Sequence, residues 1–350
     1  MSGGVDSSVA AILLKQAGYE VIGGTMVLEE GEKSSLVVED AKKVCEKLKI
    51  EHHVFHLEKE FHEKVIAPFI GCYACAKTPN PCIECNRYLK FGLFYEKAKQ
   101  LGCDYIATGH YAKMQWSKTY QQYVLTKSKA TKKDQTYFLY SIPQELLDKI
   151  LFPLADFTDK TEIRKIAEEH DLVVAAKKDS QEVCFIPNDD YVTFLMDHFK
   201  KSGNSLPRKG AIVRKDGTVL GTHKGLIYYT VGQRKGLGIA YPEPLYVLKL
   251  DPDKNEVIVG TKEELYETTL QANELNFLLK DIGLVSKPVE VMAKIRYRAE
   301  PAKAFLRVSN SGEKEKIATL VFEKPQRAIT KGQSVVFYVE DVVLGGGIIL

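Results

Sequence analysis

An α/β unit built on a parallel sheet, followed by a small central β unit and a C-terminal β-barrel, is the architecture this sequence predicts. Three observations carry it. Helix-period and strand-like segments alternate through the first two hundred or so residues, short β-branched runs broken by Asp-Gly and Asp-Pro turns take over beyond Lys201, and the stretch SGNSLPRKG separates the two regimes. The 350 residues divide on this reading at 1–202, 203–268 and 269–350.

The elements follow in order. Val9, Ala10, Ile12, Leu13 and Leu14 fit a short buried helix over residues 7–18, ended by glycine, and residues 19–26 then read as a strand. A helix near 40–48, a strand near 52–57, a helix over 88–99 and a strand over 105–108 continue the alternation. LLDKILFPL and KTEIRKIAEEH, with Thr161 as the helix start, predict a helical extension after Pro143, and YFLYSI before it reads as a further helix. AIVRKDGTVLG and PLYVLKLDPDKNEVIVG predict the central β unit; VEVMAKIRYRA, EKIATLVFEK and QSVVFYVEDVVLGGGIIL predict the barrel. No internal repeat is evident.

Composition excludes several classes. With 45% hydrophobic and 27% charged residues the chain is neither disordered nor collagen-like. No apolar run reaches the ~18 residues of a membrane span, and MSGGVDSSVAA lacks the form of a signal peptide, so a cytoplasmic protein without a membrane partner is expected. The net charge of +3 means that any basic surface must be local, as in KATKK, GQRKG and KIRYRAEPAK. Seven cysteines, an odd count without secretory features, argue against a disulfide framework. Cys45 and Cys103 read as structural. Cys72 and Cys75 read as a metal site, a redox pair or plain loop thiols. Cys82 and Cys85 form a second CxxC; Cys85, among proline and asparagine, reads as a reactive loop thiol, and Cys184 as strand-borne.

Ser2, Gly3, Gly4, Val5, Asp6, Ser7 and Ser8 place two glycines and three hydroxyls at a helix entrance, where unpaired amides and the helix dipole favour an anion. The string lacks the lysine of the Walker loop. It resembles the SGGxDS loop of the ATP pyrophosphatases, which cleave ATP between the α- and β-phosphates and adenylate a substrate. The resemblance implies ATP as the cofactor, with Asp6 helping to place Mg2+. That family normally carries a hydrophobic strand before the loop; here the sequence starts on the loop and that strand is missing, so either the strand lies upstream of this start or ATP binding is weak.

Thr78-Pro79-Asn80-Pro81-Cys82-Ile83-Glu84-Cys85-Asn86, KKDSQEVCFI, GTHKGLIYYTVGQRKGLGI and TGHY at 108–111 together resemble the tRNA-uridine 2-sulfurtransferases over the whole chain. The resemblance implies ATP-dependent 2-thiolation of the wobble uridine of tRNA, with Cys85 as nucleophile and Cys184 carrying a persulfide, leaving a Cys85–Cys184 disulfide. It implies nucleotide contacts at Met26 and Gly109, and tRNA contacts at Asn80, Pro81, Cys82, His110, Lys133, Asp134, Gln135, Arg296, Tyr297 and Gln333. It also implies an anticodon stem loop and a sulfur-carrier or cysteine desulfurase protein as partners. Cys82 departs from the family's usual aspartate, and three thiolates at Cys82, Cys85 and Cys184 open an alternative route through a 4Fe-4S cluster. Two other readings stand beside this one. An amidotransferase or argininosuccinate-forming pyrophosphatase leaves Cys85 and Cys184 unexplained, and a catalytically weak tRNA-binding homologue predicts no ATP turnover.

Overall fold

The structure, a computed structural model, describes all residues except 176, 178–182, 203–205, 281–286 and 312–314. Parts of the expected linker and of the segment preceding Cys184 therefore lie outside the described residues.

Helix α1 (Val5–Gln16) buries Val5, Val9, Ala10, Ala11 and Ile12, and ends where Gly18 adopts a φ of 87°, a conformation that favours glycine. Strand β1 (Ile22–Val27), helix α2 (Glu32–Leu48) and strand β2 (Glu51–His56) follow, with β1 parallel to β2 from Ile22 opposite Glu51 to Val27 opposite His56. Helix α2 supplies the crossover that parallel pairing requires. Two rods come next, each interrupted by wider π-helical turns. The first is α3 (Glu58–Phe61), a π segment His62–Ile66 and α4 (Ala67–Ala74); the second is α5 (Pro81–Glu84), a π segment Cys85–Leu93 and α6 (Phe94–Gln100). A β-carbon on Gly92 would stand 3.1 Å from the carbonyl oxygen of Arg87, five residues back, so the wide turn favours glycine there.

Strand β3 (Ile106–Ala107), the hairpin β4 (Lys113–Ser117) and β5 (Gln122–Thr126), strand β6 (Ile150–Leu151), helix α7 (Lys160–Glu169) and helix α8 (Tyr191–Lys201) complete the α/β unit. Strand β6 pairs parallel with β3, so among the described residues the parallel strands of this unit form two pairs, β1 with β2 and β3 with β6.

Several local expectations change. LLDKILFPL is a 3-10 segment, Gln144–Lys149, followed by β6 rather than a helix, because two prolines bracket a short apolar run whose Leu146, Leu147 and Ile150 are buried. YFLYSI contributes only to the 3-10 turn Thr136–Phe138. Asp159, not Thr161, caps α7, accepting from the backbone amides of Thr161 at 2.7 Å and Glu162 at 3.4 Å. Cys85 is no loop residue but begins a π segment, and Cys184 lies in a turn rather than a strand.

The central unit is a four-stranded sheet of β7 (Gly210–Arg214), β8 (Val219–His223), β9 (Tyr246–Asp251) and β10 (Glu256–Gly260), in the order β8-β7-β10-β9. Its core is Ile212, Val247, Val257 and Val259. The last unit is β11 (Tyr266–Phe277), β12 (Val289–Lys294), β13 (Ala302–Ser311), β14 (Glu315–Arg327), β15 (Ser334–Val339) and β16 (Val342–Ile349). They run β11-β14-β13-β12-β15-β16, and β16 pairs back on β11, which closes a six-stranded barrel around Leu306, Leu320, Val335 and Phe337.

The hairpin β4–β5 joins this barrel. Thr126 of β5 pairs with Val342 of β16, and the amide of Lys127 donates to the carbonyl of Asp341 at 3.0 Å. Nearby, Asn276 Nδ2 donates to the carbonyls of Tyr140 and Ile142 at 2.7 and 2.8 Å, and the Tyr137 hydroxyl donates to the Ser334 carbonyl at 2.8 Å. Tyr137, Leu139 and Tyr140 share one core with Leu278, Val336, Tyr338 and Val343, so the α/β unit and the barrel are packed as one body along this seam.

Candidate active site

The N-terminal loop is shaped by its glycines. Gly3 has a φ of 60°, and a β-carbon there would lie 2.9 Å from the Val37 carbonyl oxygen. Gly4 is the N-cap residue of α1 and no side chain caps the helix, so its first turn points backbone donors outward. Ser7 Oγ accepts from the Ser2 amide at 3.1 Å and lies 3.1 Å from Ser2 Oγ, while Ser7 and Ser8 donate to the Gly4 carbonyl at 3.1 and 2.9 Å. The two hydroxyls thus tie the loop to its own helix.

Asp6 accepts from the Tyr111 hydroxyl at 2.9 Å through Oδ1 and from the Lys160 ammonium at 2.8 Å through Oδ2. Lys177 donates to the Gly3 carbonyl at 2.9 Å and to Asp40 at 2.8 Å, so two ammonium groups flank the loop. Neither lysine was assigned from sequence; each arrives from a segment more than 150 residues away, and no local pattern links them to the loop. A β-carbon on Gly109 would come within 2.7 Å of the Asp6 carbonyl carbon, so this glycine lets the end of β3 lie against the loop. The close approach at Gly109 is thus to the backbone of Asp6, a residue of the expected nucleotide loop. Met26 is half-buried at the end of β1, against the cluster of Leu57, Phe61 and Cys85.

The cysteine segment is held from both ends. Asn80 caps α5, its Oδ1 accepting from the Cys82 amide at 3.2 Å, and Pro81 occupies the first helical turn, where no amide donor is needed. The Thr78 amide donates to the Lys331 carbonyl at 2.9 Å, and Gln333 Nε2 donates to the Thr78 carbonyl at 3.0 Å, so a barrel loop grips the residues just before the CxxC. Asn86 is buried, donating to the Phe138 carbonyl at 2.8 Å while its Oδ1 has no partner. Cys85 is buried, whereas Cys82 and Cys184 have exposed surface; all seven cysteines are free thiols. The Cys184 turn is anchored by Phe185, which packs edge-on against Phe61 and Phe69, and by Lys33, whose ammonium donates to the Cys184 carbonyl at 2.9 Å.

These thiols feel one another. Burial pushes Cys85 up, Lys90 pulls it back, and Cys82 raises it further; Cys82 is likewise raised by burial, lowered by Lys90 and raised by Cys184. Cys184 is pushed up to about 11, first by burial and then by Cys85 and Glu29, against the pull of Lys90 and Lys33. Among the described residues, no three His, Cys, Asp or Glu side chains gather as metal ligands would. Cys82, Cys85 and Cys184 form no such group among the described residues, nor does Cys72 with Cys75.

The expected tRNA contacts have protein partners. Asp134 is buried, accepting from the Ser128 amide at 3.3 Å and the Thr136 hydroxyl at 2.5 Å. Gln135 Oε1 accepts from the Tyr111 amide at 2.9 Å, and Lys133 lies 6.0 Å from the Tyr111 ring centre. Arg296 donates to the carbonyls of Val231 at 3.2 Å and Ala328 at 2.6 Å and to the Thr330 hydroxyl. The Tyr297 ring is tilted by 41° against that of Phe138, the ring centres 4.4 Å apart. His110 turns inward between Phe91 and Phe152, with Nδ1 2.7 Å from Thr108 Oγ1 and Nε2 3.5 Å from Lys90 Nζ.

Residues 1–188 match the family described as tRNA methyl transferase HUP domain, 194–261 the tRNA methyl transferase PRC-barrel domain and 267–349 the aminomethyltransferase beta-barrel domain. The chain is 47% identical over 359 aligned residues to the tRNA-specific 2-thiouridylase MnmA of Clostridioides difficile (strain 630), covering 100% of this chain and 96% of that relative. It is 48% identical, with the same coverage, to the protein of that name from Clostridium botulinum (strain Alaska E43 / Type E3). The chain belongs to the MnmA family. Two of the family descriptions speak of a methyl transferase, whereas the relatives are named for thiolation. In this MnmA-family chain, the phosphate-type loop and the three coupled thiols sit in one α/β unit, and the barrel braces the thiol segment through Gln333 and Lys331. No helix among the described residues is long and apolar enough to cross a membrane.

Proposed function

We propose that this chain uses ATP to replace the C2 oxygen of a tRNA uridine, the wobble position of the anticodon stem loop, by sulfur. The observation that carries the reading is that Cys85 packs in one cluster with Val183 and Phe185, the two neighbours of Cys184, which brings together thiols 99 residues apart that methyl transfer would leave without a use. The outward-pointing amides of α1 and the ammonium groups of Lys160 and Lys177 suit a triphosphate. A magnesium ion carried with the nucleotide would be held by Asp6, where Lys160 now bonds, and would neutralise phosphate charge.

The uridine oxygen attacks the α-phosphate, releasing pyrophosphate and leaving an adenylated base. A sulfur-carrier or desulfurase protein loads Cys184 as a persulfide. The Cys85 thiolate then attacks Cys184 Sγ; a Cys85–Cys184 disulfide forms, hydrosulfide leaves, and it displaces AMP from C2. The units 1–202, 203–268 and 269–350 divide the work on this reading, the first holding the chemistry and the other two the RNA. Incubating the chain with unmodified tRNA, ATP and a persulfide donor, then digesting the RNA for nucleoside mass spectrometry, tests it. 2-Thiouridine is expected; a methylated uridine, or no product at all, would overturn it.

A further inference from the structure

We propose that Lys90 is the cation that stabilises the Cys85 thiolate for sulfur release, and that His110, braced by Thr108, holds that cation in place. The inference rests on Cys85 being the sulfur-releasing thiol, as read above.

The backbone supplies the first reason. In an α-helix, a residue five positions on lies roughly 140° around the axis. Cys85 and Lys90 are instead both within the π segment Cys85–Leu93, whose wider turn bonds residue i to i+5 and brings the two toward the same side. The second reason is the partner. An ammonium can only donate, so His110 Nε2, 3.5 Å from Lys90 Nζ, accepts; Nδ1 then carries the ring proton and donates to Thr108 Oγ1 at 2.7 Å. Burial keeps this imidazole neutral, which suits it to accept from a cation. An ammonium has two further hydrogens to offer.

The third reason is what the charge acts on. Cys82, Cys85 and Cys184 all respond to Lys90, and Glu29 and Lys33 are the other charged side chains acting on Cys184. The step written above turns a thiolate at Cys85 into a disulfide and a hydrosulfide. Negative charge persists throughout while its seat moves from Cys85 to the departing sulfur, and a single ammonium whose charge acts on both cysteines stabilises both ends.

Alkylation of the full chain tests this directly. Iodoacetamide labelling of Cys85 at fixed pH, read by peptide mass spectrometry, should slow about tenfold in Lys90→Gln and recover to within about threefold in Lys90→Arg, with 2-thiouridine formation following the same order. Equal labelling rates in Lys90→Gln and the unaltered chain would overturn the assignment, as would a Lys90→Arg protein that labels as slowly as Lys90→Gln, since the side chain would then act through packing. If the unaltered chain makes no 2-thiouridine, the thiolation reading fails by itself, and the labelling comparison still decides Lys90.

Discussion

Asp6 is held by a phenol and an ammonium, and its carboxylate therefore fixes three segments at once: the loop, the bend at Tyr111 and the start of α7. Asp6→Ala should reduce pyrophosphate release in the presence of tRNA and ATP to background, while Asp6→Asn, which keeps a hydrogen-bond acceptor but no charge, should retain a trace; wild-type release from Asp6→Ala would remove the loop from the chemistry. Cys184 offers a different handle. Its thiol is pushed up to about 11, so its thiolate fraction is small near neutrality and grows with pH. The labelling rate of Cys184 should climb about tenfold per unit between roughly pH 7 and 10, since only the thiolate reacts. A plateau below pH 9 would mean that the cations Lys90 and Lys33 outweigh burial.

At the scale of elements, the cap of α7 is the most direct test of local reasoning. Asp159→Ala removes an acceptor for two backbone amides and should lower stability by about 1 kcal/mol in denaturant titration, whereas Thr161→Ala should cost less. The sequence placed that helix correctly and chose the wrong cap, because both Asp and Thr satisfy the rule and only geometry separates them. The alternation of helix and strand, the central sheet and the barrel were legible, since hydrophobic period and turn residues are local signals. The π segments were not: CNRYLKFGL reads as ordinary helix, and nothing short of the backbone reveals the wider turn that Cys85 and Lys90 share. Gly92 is the sole hint, and it reads equally well as a weak point. The joining of β5 to β16 was invisible for another reason, since strand pairing across such a separation leaves no mark in either segment.

Across the whole molecule, Arg296 ties two units together. Its guanidinium serves Val231 next to the central unit and Ala328 and Thr330 in the barrel. Arg296→Ala leaves buried acceptors unpaired and should lower stability by about 1 to 3 kcal/mol, visible as a drop in Tm. The slope of log Kd for tRNA against log salt tests the expected RNA contact separately: an unchanged slope would leave the guanidinium to its three neutral protein acceptors alone. A slope flattened by about one unit would restore Arg296 to the RNA contacts.

The hairpin that ends in Thr126 has its partner in Val342, 216 residues later. A ribosome adding about 5 to 20 residues per second delivers that partner roughly 10 to 40 s after the hairpin leaves the exit tunnel. Until then one edge of β5 is open, beside Trp116 and Tyr123, which remain 53% and 40% exposed even when folding is complete. The nascent chain therefore carries a sticky strand for most of its synthesis, and a transcript truncated ahead of the last barrel strand should yield a product that chaperones retain.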